Sequence, residues 1–336
     1  MAVRVAINGF GRTGRAFLRA AVKSPHDVEV AAVNDLGDPE ALARLLARDS
    51  VHGHFPVPVS VEHDTMMVGS SAVIMLMEPH PAELPWRELG IDVVIESTGR
   101  LTSREKAAAH IEAGAHRVII SAPAKDADAT FVIGVNEDTY DAATHDVVSN
   151  ASCTTNCFVP MVKVLDDALG VTAGLMTTIH AYTNDQNLLD LEHKDLRRAR
   201  AAAINIVPSS TGAARATSLV LASMKGRLDG TSLRVPVPVG SITDFTAIVR
   251  STTVEEVNAA FRAAAEGPLK GVLVYTEEYI VSSDIVGTPA SCTFDSLMTL
   301  VQRIVDDQSL VMIFGWYDIE CGYSNRLVDL SVHIGK

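Results

Sequence analysis

Cys153 stands in Ser149-Asn150-Ala151-Ser152-Cys153-Thr154-Thr155-Asn156-Cys157, where a strand-like run gives way to a helical one. A thiol at a helix start feels the positive end of the aligned peptide dipoles, which favours the thiolate, the nucleophilic form. His180 ends a later run, Met176-Thr177-Thr178-Ile179-His180, and has the chemistry to take the thiol proton. A Cys and a His so far apart in sequence are each more often structural, so the pair alone does not settle catalysis. The cysteines Cys153, Cys157, Cys292 and Cys321 form no disulfide framework in a chain of 336 residues, and Cys153-x-x-x-Cys157 has no second pair at zinc-ligand spacing. No metal is expected, and at least one thiol is free to react.

A second group of residues suits a phosphate-bearing cofactor. Asn8-Gly9-Phe10-Gly11-Arg12-Thr13-Gly14-Arg15 follows a strand-like stretch and opens a helical one, the context that a Gly-x-Gly-x-x-Gly loop requires. Gly9 permits the tight turn, Gly11 lets backbone approach a pyrophosphate, and Gly14 lets the helix pack close, while the helix N-terminus offers N–H groups to the anion. Asp35 follows Gly14 by 21 residues at the end of the next strand-like run. A carboxylate there accepts hydrogen bonds from the adenosine ribose and repels a 2′-phosphate. The expected cofactor is therefore NAD rather than NADP.

The elements that must hold these groups fall into two halves. Up to Cys153, apolar β-rich runs alternate with helical stretches: 3–7 then 13–22, 28–33 then 39–47, further strands at 71–77, 93–95, 118–120 and 147–148, and a helix over 103–113 opened by Ser103 and closed by Gly114. This rhythm predicts a Rossmann-type doubly wound parallel sheet, an α/β domain of about 150 residues. After Cys153 a helix spaced Phe158, Met161, Val162, Leu165, Leu169 precedes strand-like runs at 172–179, 233–239, 242–250 and 310–316, with an amphipathic helix at 254–265. Few helices among many strands predict an α+β domain with a mostly antiparallel sheet. Tyr182 to Arg200 is polar and has no sustained apolar period, and an irregular segment of that length inside a domain suits binding.

Length and charge bound the remaining possibilities. The 336 residues exceed one ordinary core and fit two domains. A formal charge of −13 opposes a long polyanion, so no nucleic-acid partner is expected. The basic cluster His193 to Arg200 suits small anions or a solvated helix face equally. Met1 to Phe10 lacks the apolar core of a signal peptide, and no run approaches the ~18 apolar residues of a membrane span, so a cytoplasmic protein without a membrane partner is expected.

The segments Ile7-Asn8-Gly9-Phe10-Gly11-Arg12, Glu96-Ser97-Thr98-Gly99, Ser152 to Asn156, Tyr182 to Gln186, Leu196 to Arg200, Ser210 to Ala214 and Arg234-Val235-Pro236 occur in this order over nearly the whole chain. Together they resemble the phosphorylating glyceraldehyde-3-phosphate dehydrogenases of the glycolytic, bacterial type. The resemblance implies that Cys153 attacks an aldehyde, that the hemithioacetal passes hydride to NAD, and that inorganic phosphate cleaves the thioester left behind. It makes His180 the base and puts Gly9, Phe10, Gly11, Arg12, Thr13, Gly14, Asp35, Ser121 and Ile319 around the cofactor. It assigns the substrate phosphate to Thr183 and Arg234, with Asp185 orienting the arginine, and the attacking phosphate to Ser152, Thr154, Thr211, Gly212 and Arg197. It further implies a homotetramer, an NAD-binding domain at 1–152 joined by a returning helix at 319–336, and a catalytic domain at 153–318. Ile319 and Cys321 depart from the family pattern, which has Asn at the first position to hold the nicotinamide carboxamide. An erythrose-4-phosphate dehydrogenase, an inhibitor-tolerant isozyme and a weakly catalytic nucleotide-binding paralogue are neighbouring readings of the same motifs.

Overall fold

The computed structural model describes residues 2–24, 26–305 and 307–335. Met1 and Lys336, the outer limits of the expected domains, lie outside them. Contacts within the chain divide it into two compact units, one running to Ser152 and resuming at Ser324, the other Cys153–Tyr323.

The first unit is built on strands β1 (Val3–Asn8), β2 (Val28–Asn34), β3 (Arg48–Asp49), β4 (Gly53–His54), β5 (Val59–Glu62), β6 (Thr65–Val68), β7 (Ser71–Leu76), β8 (Val93–Glu96), β9 (Arg117–Ile120), β10 (Ala129–Thr130) and β11 (Val147–Ser149). Its helices are α1 (Arg12–Lys23), α2 (Pro39–Ala47), α3 (Trp86–Leu89), α4 (Arg104–Ala107) and α5 (Ala109–Glu112). The main sheet has the order β10-β11-β9-β8-β1-β2-β7-β6-β5, and β3 and β4 pair separately. From β10 to β7 every pairing is parallel. The central strand β8 is buried along its length, as a strand covered on both faces must be. The sheet is not parallel throughout: β5, β6 and β7 pair antiparallel at one edge, where a tight turn holds His63 at φ 58°. The expected single helix at 103–113 is two short ones. The chain tightens at Ala108, whose carbonyl takes the Ile111 N–H, and Ser103 makes no capping bond.

The second unit contains α6 (Cys153–Leu169), β12 (Ala173–Ala181), β13 (Val207–Ser210), α7 (Ala213–Val220), β14 (Leu228–Val235), β15 (Ser241–Arg250), α8 (Val254–Glu266), β16 (Leu273–Thr276), β17 (Cys292–Asp295), β18 (Leu300–Val305) and β19 (Gln308–Tyr317). Its sheet runs β13-β14-β12-β15-β19-β17-β16, with β18 also on β19. Among the described residues only β12–β14 and β16–β17 pair parallel as strands. In β15 buried and half-buried positions alternate, so one face packs inward while the other stays more open. The helix α8 begins in a capping box, Thr253 and Glu256 satisfying each other's backbone N–H. The last helix, α9 (Cys321–Ile334), begins in this unit. By its contacts the chain rejoins the first unit at Ser324, while Asp318 accepts from Gly287 N–H at 2.8 Å and Cys321 donates to the Gly287 carbonyl at 3.3 Å. Among the described residues no helix is long and apolar enough to cross a membrane.

Candidate functional site

In the first unit the glycine loop joins β1 to α1. Gly9 sits at φ +93°, and a Cβ on it would meet Thr98 N at 2.6 Å. Only glycine tolerates both that conformation and that approach. A Cβ on Gly14 would lie 2.3 Å from the Gly9 carbonyl, so the helix start can close on the turn only without one. Gly11, by contrast, faces open space and caps α1 with no side chain, and the first turn carries no acidic residue. This is an N-terminus free to meet an anion. Asp35 takes the Phe10 N–H at 2.7 Å and the Gly37 N–H at 2.8 Å, which ties the end of β2 to the loop and leaves further lone pairs on the carboxylate. Arg12 pairs with Asp49 at 3.0 Å, Thr13 is half-buried in the first turn of α1, and Phe10 is fully buried. Ser121 sends both its N–H and its hydroxyl to the Glu96 carbonyl, each at 3.0 Å. These residues fit a dinucleotide cofactor.

In the second unit α6 begins at Cys153 itself. The preceding Ala151, buried, sits at φ 54°, a costly conformation for a residue with a Cβ that turns the chain sharply into the helix. Cys153 Sγ lies 3.7 Å from His180 Nε2. His180 Nδ1 lies 2.6 Å from the Ala181 carbonyl and 2.8 Å from Arg234 Nη1. One ring nitrogen cannot serve both. With Nδ1 protonated toward the carbonyl, the tautomer that a base facing the thiol needs, Nε2 presents its lone pair to Cys153. Arg234 Nη1 also reaches that carbonyl, at 3.2 Å. Burial, with the Arg234 charge beside it, lowers the His180 pKa to about 3. Burial raises the Cys153 thiol, and Arg234 pulls in the opposite direction.

The residues expected around phosphate are only partly gathered. Arg234 is half-buried in β14 against His180, and its Nε has no partner among the described residues. Asp185 makes no direct bond to it among the described residues, though its charge reaches Arg234; that carboxylate pairs with Arg198 and lies 3.6 Å from His193. Burial alone would raise Asp185, but Arg198 and His193 hold it below the usual carboxylate range. Arg197 is exposed, its N–H turned onto Asp195, whereas Arg198 is half-buried and its charge reaches His180 and Arg234. Consecutive residues in this turn face opposite ways, and the inward one is Arg198. Thr154 is buried, its hydroxyl 2.9 Å from that of Tyr317, which lies 2.7 Å from Thr178. Thr211 bonds the Ala213 N–H at the start of α7, with Gly212 exposed beside it. Thr183 is half-buried after β12, and Ser152 immediately precedes the thiol. Ile319 is buried in the turn before α9.

Sequence reasoning missed Arg198 and Tyr317. The doubled arginine was visible, but not which member turns inward. Tyr317 reads as one more strand residue until its ring is found edge-on to His180, 6.0 Å between centroids.

Residues 3–104 match the family model described as the glyceraldehyde 3-phosphate dehydrogenase NAD binding domain, and residues 152–319 match that of the C-terminal domain. The chain is 58% identical to a glyceraldehyde-3-phosphate dehydrogenase of Streptomyces coelicolor, across all of this chain and 99% of the relative. It is 57% identical to that of Mycobacterium avium and 55% to that of Geobacillus stearothermophilus, with the same coverage.

Proposed function

Since the chain belongs to the glyceraldehyde-3-phosphate dehydrogenase family and is an NAD-dependent oxidoreductase, we propose that it converts D-glyceraldehyde 3-phosphate to 1,3-bisphosphoglycerate through a thioester on Cys153. The observation that carries this reading is the 3.7 Å contact between Cys153 Sγ and Nε2 of His180. His180 takes the thiol proton as sulfur attacks the aldehyde carbon. The imidazolium and the Cys153 N–H, at the start of α6, steady the oxyanion of the hemithioacetal. NAD, when bound, accepts the hydride, and the acyl group remains on sulfur. Inorganic phosphate then displaces Cys153 and leaves with the acyl group.

Arg234 is proposed to bind the substrate phosphate together with Thr183. That assignment gives its contact with His180 a purpose. Burial and the guanidinium 2.8 Å from Nδ1 keep His180 a weak base; a phosphate on Arg234 offsets that charge and raises the base when substrate is present. Arg198 replaces Arg197 as the proposed arginine of the attacking-phosphate site, with Ser152, Thr154, Thr211 and Gly212. Asp35 is proposed to select NAD over NADP. The proposed domain division is 1–152 with the returning helix for the cofactor and 153–318 for chemistry, in a cytoplasmic enzyme. A homotetramer is also proposed, since Leu188, Leu189, Leu191 and Leu196 are exposed by 68–83% in the loop after β12; light scattering showing a monomer at working concentration would remove it.

The test is a single turnover. Mixing enzyme, NAD and glyceraldehyde 3-phosphate without inorganic phosphate should give a burst of about one NADH per chain, with the acyl group on the Cys153 peptide by mass spectrometry. Turnover without a burst, or an acyl group elsewhere, contradicts the thioester.

A further inference from the structure

The first unit buries two titratable side chains that the proposed chemistry does not use, Glu96 at the end of β8 and His110 in α5, exposed by 2% and 0%. The Glu96 carboxylate collects four donors. Oε1 takes the Thr98 N–H at 2.9 Å and the Thr98 hydroxyl; Oε2 takes Asn8 Nδ2 at 2.7 Å and His110 Nε2 at 3.0 Å. The direction of each bond is set from far ends of the network. The Trp86 indole N–H, which can only donate, points at His110 Nδ1 from 3.0 Å, so Nδ1 accepts and Nε2 carries the proton toward Glu96, with Asn8 Nδ2 lying 3.3 Å from Nε2. On the other side Glu78 N–H donates to Asn34 Oδ1 at 2.8 Å. Asn34 Nδ2 must then donate to Asn8 Oδ1, also at 2.8 Å, and Asn8 Nδ2 to Glu96. Asn34 Nδ2 also returns a bond to the Glu78 carbonyl at 2.9 Å, and the chains from Trp86 through His110 and from Asn34 through Asn8 both end on one carboxylate.

What these arrows connect is the cofactor side of the unit. Asn8 precedes Gly9, Asn34 precedes Asp35, and Thr98 is the backbone against which Gly9 closes. Ser97 adds a hydroxyl bond to the Gly9 carbonyl at 2.6 Å. We propose that Glu96 is a positioning residue for NAD, an acceptor node that holds the Gly9 loop, the Asp35 strand end and the Ser97–Gly99 turn in one arrangement. His110 and Trp86 act through it, as the donor and the group that fixes that donor's tautomer. Glu96 is the only charged group bonded to His110 among the described residues; Glu83, Arg104, Glu105, Lys106 and Glu112 on the surrounding helices are exposed. The inference rests on NAD as cofactor, and wild-type binding of NAD is the control that keeps the two separable.

Glu96→Gln keeps the shape but sets an NH2 group against donors that cannot reverse: flipping Asn8 would break its bond to Asn34, and His110 is held by Trp86. The expected result is about a tenfold or larger rise in Kd and KM for NAD, with the rate of Cys153 alkylation in the absence of NAD unchanged, and partial recovery in Glu96→Asp. The decisive arm is the background. In Trp86→Phe the indole donor is gone, His110 can move its proton to Nδ1, and Nε2 can accept from the new amide. Glu96→Gln should therefore cost only about threefold in that background, a non-additivity that lost packing does not produce. Unchanged NAD affinity in folded Glu96→Gln overturns the proposal, as does the same fold loss in both backgrounds. If Glu96→Gln does not fold alone, Trp86→Phe must bind NAD about two- to fivefold more weakly and restore folding to the double variant; failure of either overturns it as well.

Discussion

The two units treat their buried ionisable groups in opposite ways. In the first, Glu96 and His110 have every hydrogen-bonding site answered by a fixed partner, and their bond directions are determined from outside. In the second, His180 is buried beside a cation, and burial and cation both disfavour its charged form; Cys153 is raised by burial, and Arg234 Nε has no partner among the described residues. A satisfied network rigidifies backbone, which suits a loop that must keep one shape for a cofactor. A strained set of titratable groups stores a response to whatever compensates it, which suits a site where protons and anions come and go.

Several substitutions break or sharpen that contrast. The largest effect is expected from Cys153→Ser, which should lower kcat by about 10⁴-fold or more while leaving NAD affinity of the first unit within about twofold. A parallel loss of NAD binding by calorimetry means that the two units are not separable in function. Next, Arg234→Leu should raise KM for the phosphorylated aldehyde by roughly 10- to 100-fold, the scale of a charge-assisted hydrogen bond. It should also raise the His180 pKa, read from the pH profile of Cys153 alkylation, because a cation is removed from beside the ring. An unmoved profile breaks the link between Arg234 and the base. Arg198→Ala should weaken phosphate use about tenfold and Arg197→Ala less than about threefold, since only Arg198 turns inward; equal effects remove the reassignment.

The pH dependence of stability tests the strain directly. The His180 pKa is depressed in the folded protein to about 3, against about 6.5 unfolded, so the unfolded state binds the extra proton between those values. The folded state therefore loses stability as pH falls below about 6.5. Relative to His180→Asn, the wild type should lose about 2 kcal/mol between pH 6.5 and 5 in denaturant titrations. Parallel pH curves for the two proteins contradict a buried, disfavoured imidazole. Asp35→Gly should then shift the NADP to NAD preference by about tenfold, and an unchanged ratio of kcat/KM values rejects Asp35 as the selector.

The smallest effect is expected at Ile319, the position that the family resemblance assigns to the nicotinamide carboxamide, because an isoleucine side chain has no hydrogen-bonding group. Ile319→Asn should tighten NAD or speed single-turnover hydride transfer by about two- to tenfold, the worth of one net hydrogen bond. No change in either quantity shows that another group already serves the carboxamide.

Local chemistry was readable from the chain alone. The glycine triplet, Asp35 and Cys153 at a helix start are short-range signals, because turn geometry and helix dipoles depend on neighbours in sequence. The alternation of strands and helices likewise foretold a parallel sheet followed by a mostly antiparallel one. The β5–β6–β7 edge was hidden because short, half-exposed strands carry little hydrophobic period. Directions were hidden too. Nothing local says that Arg198 rather than Arg197 turns inward, that Asp185 meets Arg198 and not Arg234, or that Tyr317 joins Thr154 to Thr178. The convergence on Glu96 was equally out of reach, since its donors come from residues up to 88 positions away. A sequence carries the reach and charge of each side chain, but which donor meets which acceptor is decided only when distant segments pack and every buried polar group must find a partner.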